Sequence, residues 1–144
     1  MPIYEMQFSP PEALRSGGAI FPIEISLPQI LIDHLTKQGI TPPPPVKGRA
    51  IIDTGASISV VDLSVLSSLQ ISPIGVATTL TTAGPTNQNL YPARFILPRL
   101  VVDLSAVIGA DLRPFQITAL IGRDILSHFL MIYHGNAGRV TLSY

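Results

Sequence analysis

Residues Ala50-Ile51-Ile52-Asp53-Thr54-Gly55-Ala56-Ser57-Ile58-Ser59 set one carboxylic acid between an apolar run and a tight glycine turn. An Asp placed straight after such a run is expected to lose much of its water, and a desolvated carboxylate needs hydrogen bonds or a chemical use. Thr54 offers a hydroxyl next door, and Gly55 lets the backbone turn so that its N–H groups approach the acid. The chemistry this points to is general acid and base work by Asp53. The competing description is a turn residue that caps local N–H groups, which is what most such triplets do in unrelated proteins.

A second segment bears on the choice. Ala119-Leu120-Ile121-Gly122-Arg123-Asp124-Ile125-Leu126 is another apolar run ending in Gly, followed by a helix start with Asp124 as its N-cap. In order and spacing the two segments resemble those of the retroviral-type aspartic peptidases, the retropepsins with their cellular and bacterial relatives. That family places apolar-apolar-Asp-Thr-Gly-Ala/Ser before apolar-apolar-Gly-Arg and a short helix. The resemblance spans residues 19 to 144 and is strongest at 50 to 59 and 119 to 133.

What the resemblance implies is specific. The fold would be mainly β, a retropepsin-like acid-protease barrel: a closed barrel-like sheet with a flap hairpin and one to three short helices, assembled as a homodimer. Asp53 would be the catalytic acid and base, Thr54 would bond across the dimer axis, and Gly55 would offer its main chain to substrate. Ala56, Ser57, Leu120, Ile121, Gly122 and Arg123 would support the active turn. The hairpin at 78 to 90 stands where the family keeps its flap, with Thr81, Thr82, Ala83, Gly84 and Pro85 closing over an extended peptide. Viral members carry Asp where this chain has Ser57, so the Arg123 guanidinium is expected to rest on Asp124 or a main-chain carbonyl. For Arg123 a plain surface or helix-start role stands beside a structural ion pair, and for Tyr91 a half-exposed strand tyrosine stands beside substrate contact.

Peptide hydrolysis by carboxylates requires two of them: one ionised to take a proton from water, one neutral to donate to the carbonyl oxygen. Held about 3 Å apart, they cannot both ionise, so the pair keeps one proton. This chain has a single Asp-Thr-Gly, because Asp33, Asp62, Asp103, Asp111 and Asp124 are not followed by Thr-Gly or Ser-Gly. A second copy must then supply the other acid. The expected function is an aspartic endopeptidase; the alternative is a non-catalytic dimeric module of the same fold that binds peptides or acts as a scaffold.

Composition narrows the remaining classes. Lys+Arg and Asp+Glu are balanced at 9 each, which leaves no electrostatic footprint for nucleic acid. Cysteine is absent, which excludes disulfides, thiolate metal sites and a cysteine nucleophile. His34, His128 and His134 show no metal-ligand spacing and read as surface or helix-end residues, so neither metal nor cofactor is expected. No run approaches the roughly 20 apolar residues that cross a bilayer, and the first residues lack a signal-peptide pattern, so the expected location is cytoplasmic. With 12% charged and 47% hydrophobic residues, the chain is apolar enough that a partner is expected to cover part of it, most simply another copy.

The elements that must position these residues follow from periodicity and punctuation. Residues 1 to 18, with Pro10-Pro11 and Gly17-Gly18, read as an irregular lead-in, and 19 to 144 as one domain. Ala19 to Leu27 alternates like a strand whose Pro22 suits an edge, Gln29 to Gln38 suits a short helix stopped by Gly39, and Pro42 to Pro45 an extended loop. Arg49 to Thr54 is the strand that delivers Asp53, Ile58 to Val61 continues past the turn, and Asp62 to Leu69 is a capped helix with its leucines turned to the core. Val76 to Thr82 and Asn89 to Leu97 form a hairpin around residues 83 to 88, with no large apolar residue at its tip. Beyond it are expected a strand at 99 to 104, a loop at 108 to 113, a strand at 116 to 121, a helix at 124 to 133 and a closing strand at 139 to 144.

Overall fold

The computed structural model describes residues 2–144. It is mainly β with four short α-helices: β1 (Ile3–Gln7), α1 (Glu12–Gly17), β2 (Ile20–Ser26), α2 (Gln29–Lys37), β3 (Val46–Ile52), β4 (Val60–Asp62), α3 (Leu63–Ser68), β5 (Gly75–Thr81), β6 (Gly84–Leu97), β7 (Leu100–Ala110), β8 (Ala119–Ile121), α4 (Arg123–Leu126), β9 (Leu130–His134) and β10 (Arg139–Ser143). Seven strands form one sheet in the order β2-β3-β8-β4-β7-β6-β5, and β2 also pairs with β6. A second sheet of three strands runs β1-β10-β9.

The topology places the two motif segments together. β3 and β8 run parallel, with Ile51 opposite Leu120 and Ile52 opposite Ile121. Parallel strands end on the same side, so the Asp53 turn and Gly122-Arg123 emerge side by side. On its other edge β8 pairs antiparallel with β4, which returns from the Asp53 turn. The short apolar strands that meet here are buried, Ala50, Val61, Ala119 and Ile121 all being fully enclosed, as a central position in a sheet requires.

One hydrophobic cluster runs from Met6 and Leu14 through Phe21, Ile25, Phe95 and Val107 to Ile125, Val140 and Leu142. The segment before residue 18 is therefore not an irregular lead-in. Its Ile3–Gln7 pairs antiparallel with Arg139–Ser143, and Leu14 of α1 is buried. The Pro and Gly residues that suggested irregularity lie between these elements, and the strand's partner is far along the chain where no local pattern reveals it.

Other expectations are met locally. β2 carries Pro22 outside the Glu24–Ser26 stretch bonded to β6, so its missing N–H breaks no ladder on that side. α2 ends where Gly39 adopts φ 74, and residues 41–45 lie outside any helix or strand. Asp62 caps α3, its carboxylate accepting from the Ser64 N–H at 2.9 Å and from the Ser64 hydroxyl, while Leu112 N–H donates to its second oxygen at 2.8 Å. Leu66 and Leu69 are buried there, but Leu63 is exposed.

Three boundaries differ. β5 and β6 extend to Thr81 and Gly84, so the hairpin turns through only two residues, and Leu80, beside that tip, is 86% exposed. Ile108–Ala110 is no loop but the end of β7, paired with β4 in parallel. The helix expected at 124 to 133 stops at Leu126, and Leu130–His134 is the strand β9 bonded to β10. An apolar run of this length suits either conformation, and the neighbouring strand decides it. There are thus four short helices rather than one to three.

Candidate active site

Asp53 follows directly on β3, and its own N–H donates to the Ile121 carbonyl at 2.9 Å, which fixes the start of the turn to β8. Gly55 N–H donates to Asp53 Oδ1 at 2.9 Å, and Ala56 N–H closes the turn on the Asp53 carbonyl at 3.3 Å. The expected N–H support from glycine is therefore present. The expected loss of water is not: Asp53 is half-buried in the single chain, and Thr54, Gly55 and Ser57 are exposed. Asp53 lies just past the end of β3, on the wall of an open cleft, and so keeps part of its contact with solvent.

The turn is braced from behind by Gly122-Arg123. Arg123 N–H donates to the Ala56 carbonyl at 2.8 Å, and its guanidinium donates to the Thr54 carbonyl at 2.7 Å. The main-chain alternative for this arginine is the one realised. Gly122 is required by proximity, since a Cβ there would lie 3.0 Å from the Ala56 oxygen and 3.0 Å from the Ile58 carbonyl carbon. Its own φ of −91° is open to any residue.

Two residues of this brace have roles that the sequence alone does not show, Ser59 and Asp124, the latter expected as an N-cap or as a partner of Arg123. Ser59 is fully buried; its hydroxyl donates to Asp124 Oδ1 at 2.6 Å and accepts from Gly122 N–H at 2.9 Å. Asp124 Oδ2 accepts from Ser59 N–H at 2.9 Å, and its Oδ1 also takes Ile125 N–H. Asp124 is therefore not the N-cap of α4; Gly122 holds that position, and the Asp124 carboxylate, in the first turn, ties the helix to the segment leaving the active turn. The signal in the sequence was a lone hydroxyl among β-branched neighbours, Ile58-Ser59-Val60-Val61.

In front of the turn lies a cleft of about 480 Å³ lined by Ile20, Ile51, Leu112, Phe115, Ile117 and Leu120, with Asp53 the one charged side chain on its wall among the described residues. Leu112 is held there by the bond from its N–H to Asp62. Burial works against ionisation of Asp62, but the bonds from Ser64 and Leu112 outweigh it and hold this carboxyl below the usual range. Phe115, from a short 3-10 turn, is 70% exposed at the rim. Tyr91 is buried and its ring lies over Gly109, so it belongs to the core and not to the cleft.

The hairpin carrying Thr81, Thr82, Ala83, Gly84 and Pro85 is held to its own strands, Thr81 Oγ1 donating to the Gly84 carbonyl at 2.8 Å. Its tip residues are exposed apart from the half-buried Gly84, and it makes no hydrogen bond to the Asp53 turn among the described residues. His34 and His128 are exposed, and His134 accepts from Ala137 N–H at 3.2 Å. No described helix is long and apolar enough to cross a membrane.

No protein-family model matches this sequence, and no curated protein matches it. Solved structures do. A retropepsin-like aspartic protease from Rickettsia conorii superposes with a TM-score of 0.55 at 15% identity, over 99% of this chain and 92% of that one. The EIAV protease complexed with the inhibitor HBY-793 matches with a TM-score of 0.49 at 16% identity, over 76% of this chain and 86% of that one. The simian foamy virus (mac) protease gives 0.47 at 19% identity, over 74% and 92%. At such identities the first of these establishes architecture and nothing finer: the chain has a retropepsin-like fold.

Proposed function

We propose that this protein is an aspartic endopeptidase whose site is completed by a second copy of the chain, each copy giving one Asp53. The observation that carries the reading is a carboxylate oriented by Gly55 N–H, in a turn fixed by backbone bonds to Ile121 of β8 at one end and to Arg123 of α4 at the other, and standing on the wall of an apolar cleft. A turn residue with only a capping role has no need of that setting. The half-burial of Asp53 in one chain supports the same reading, since the exposed Thr54 and Gly55 beside it are the atoms a symmetry mate would cover.

In this mechanism the two Asp53 carboxyls share one proton. The ionised member takes a proton from water as the oxygen attacks the peptide carbonyl, and the neutral member protonates the carbonyl oxygen. The Gly122-Arg123 brace and the Ser59–Asp124 pair act by holding the turn, so that the acids meet at the distance that forces them to share. The β2–β6 pairing supports the closed, barrel-like form of the sheet. The β5–β6 hairpin is assigned as the flap, with Thr81 to Pro85 as its tip, and an extended peptide lies beneath it as an added strand with an apolar side chain in the cleft.

The test is cleavage of a peptide library between about pH 3 and pH 7 by the native chain and by Asp53→Asn. Product from the native chain alone supports the reading; equal product from both removes Asp53 from the chemistry. Binding of peptides by both chains without cleavage by either identifies the non-catalytic module instead.

A further inference from the structure

We propose that residues 41–47, Thr-Pro-Pro-Pro-Pro-Val-Lys, are a docking ligand for an SH3-type domain, a partner whose aromatic-lined groove reads a polyproline helix and whose acidic pocket takes Lys47. The inference stands apart from the peptidase reading and concerns the end of β3 opposite to Asp53.

The conformation follows from the residues. Each proline holds φ at about −65°. Each residue before a proline is driven out of the helical region, so Thr41 to Pro44 are confined to polyproline or extended backbone. Residues 41–45 belong to no helix or strand and make no backbone–backbone hydrogen bond among the described residues, which leaves their carbonyls able to accept from a partner. Both ends are nonetheless tied: Ile40 N–H donates to the Leu35 carbonyl at 2.9 Å, and Val46 pairs with Ile25 of β2. A segment stiffened by its own rings and pinned at each end loses little freedom on binding.

The pattern of exposure selects the faces on offer. A polyproline helix has about three residues per turn and so presents three edges. Pro43 and Val46 share one edge, and both are half-buried against the domain. A second edge carries Thr41, Pro44 and Lys47, all exposed; the third carries Pro42, half-buried, and Pro45, exposed. A groove that reads such a helix grips two edges and leaves one, and here the edge left over is the one turned to the chain's own fold. The spacing Pro42-x-x-Pro45-x-Lys47 sets the cation two residues past the second proline, at the end of the ligand where an acidic pocket receives it.

Charge supports the same partner. Lys47 is exposed and makes no ion pair among the described residues, although Glu24 stands opposite it in the β2–β3 register. The next cation, Arg49, is committed, its guanidinium donating to the Gln116 carbonyl at 3.0 Å. Lys47 is thus the cation of this segment able to meet a partner's carboxylates. From Lys47 to Asp53 the chain advances about 20 Å in strand geometry, so the docked groove meets it away from the cleft.

This chain contains no tryptophan, so the tryptophan emission of an SH3 domain reports the partner alone. A purified SH3 domain that binds free Pro-x-x-Pro-x-Lys peptides is titrated with the native chain, and a saturable change with a Kd below about 1 mM is expected. Pro42→Ala combined with Pro45→Ala, and separately Lys47→Gln, are each expected to raise that Kd by about tenfold or more. Lys37→Gln, at an exposed lysine of α2 outside the segment, is expected to leave it unchanged. Each variant is checked for an unchanged melting temperature, and Lys47→Gln, a change at an exposed side chain, decides the outcome if the double proline variant melts lower. No saturable change with the native chain overturns the inference. So does binding that survives Lys47→Gln, as a reader of proline alone would give, or a loss shared by Lys37→Gln, which would mark general charge attraction. A chain that binds through Lys47 yet cleaves nothing would retire the peptidase reading and keep this site, and a chain that cleaves without binding would do the reverse.

Discussion

Ser59→Ala tests whether the buried hydroxyl behind the Asp53 turn is what keeps that turn in place. In the native chain this one oxygen accepts from Gly122 N–H at 2.9 Å and donates to Asp124 Oδ1 at 2.6 Å. Removing it strands an N–H at a fully buried point, which costs about 1–3 kcal/mol, and deletes a bond to a carboxylate, worth about 1.5–3 kcal/mol. Asp124 retains Ser59 N–H and Ile125 N–H, so the two losses overlap and the expected total is about 2–4 kcal/mol. For a chain of 144 residues the unfolding entropy is roughly 0.3 kcal/mol/K, which makes the expected fall in Tm roughly 7–13 °C. Urea unfolding at fixed protein concentration measures the free energy, with an unchanged slope expected. Ser57→Ala is the control, because Ser57 is exposed in the same turn and its removal is expected to cost under about 0.5 kcal/mol. Similar midpoints for the two variants would refute the bracing role of Ser59.

Gly122→Ala drives a methyl against the backbone of residues 56 and 58, where nothing flexible can yield, and is expected to cost about 1–3 kcal/mol and to lower cleavage along with stability. Because Asp62 titrates below its unfolded range, its contribution is present above the unfolded value and is lost as pH falls through the folded one; Asp62→Ala is expected to be less stable at neutral pH by about 2–4 kcal/mol and to lose less than the native chain on acidification below about pH 4. Equal acid sensitivity in urea titrations would show that Asp62 does not carry the effect. Phe115→Ala removes a 70% exposed side chain, so Tm is expected to stay within about 2 °C while cleavage of peptides with large apolar side chains falls several-fold. Leu80→Ser, at an 86% exposed position of the hairpin, is expected to raise KM for peptide without affecting unfolding.

How far the sequence disclosed this arrangement depends on whether the cause of each element is local. Asp-Thr-Gly after an apolar strand, the Asp62 cap and the Gly39 stop are decided within a few residues, and the structure has all three. The parallel placement of the Asp53 and Gly122 turns is non-local, yet it followed from two motifs in a known order, and β3 and β8 meet in that register. β1 and β9 were missed for the same reason: both owe their conformation to β10, which β1 meets across the length of the chain and which turns Leu130–His134 from a plausible helix into a strand. Ser59 and Asp124 were undervalued because a hydroxyl and a carboxylate near a turn have many ordinary uses, and only their meeting across 65 residues gives them this one.

The degree of burial of Asp53 is a different kind of discrepancy. Desolvation was expected from the apolar run before it, but Asp53 follows the last residue of β3 and stands on an open cleft wall, so the buried strand does not enclose it. The same open quarter holds Thr54 and Gly55. A second copy whose Asp53 meets this one would supply in one step the cover that Asp53 lacks and a carboxylate for it to share a proton with. Arg123→Leu, which removes the guanidinium bond to the Thr54 carbonyl and leaves the main-chain bond to Ala56, tests how the acids are aligned: the fold is expected to persist, while cleavage falls by about tenfold or more because the two Asp53 turns are no longer held at one distance. Cleavage retained in such a chain would mean that the acids are aligned by contacts of their own, and the brace from Arg123 to Thr54 would then serve stability alone.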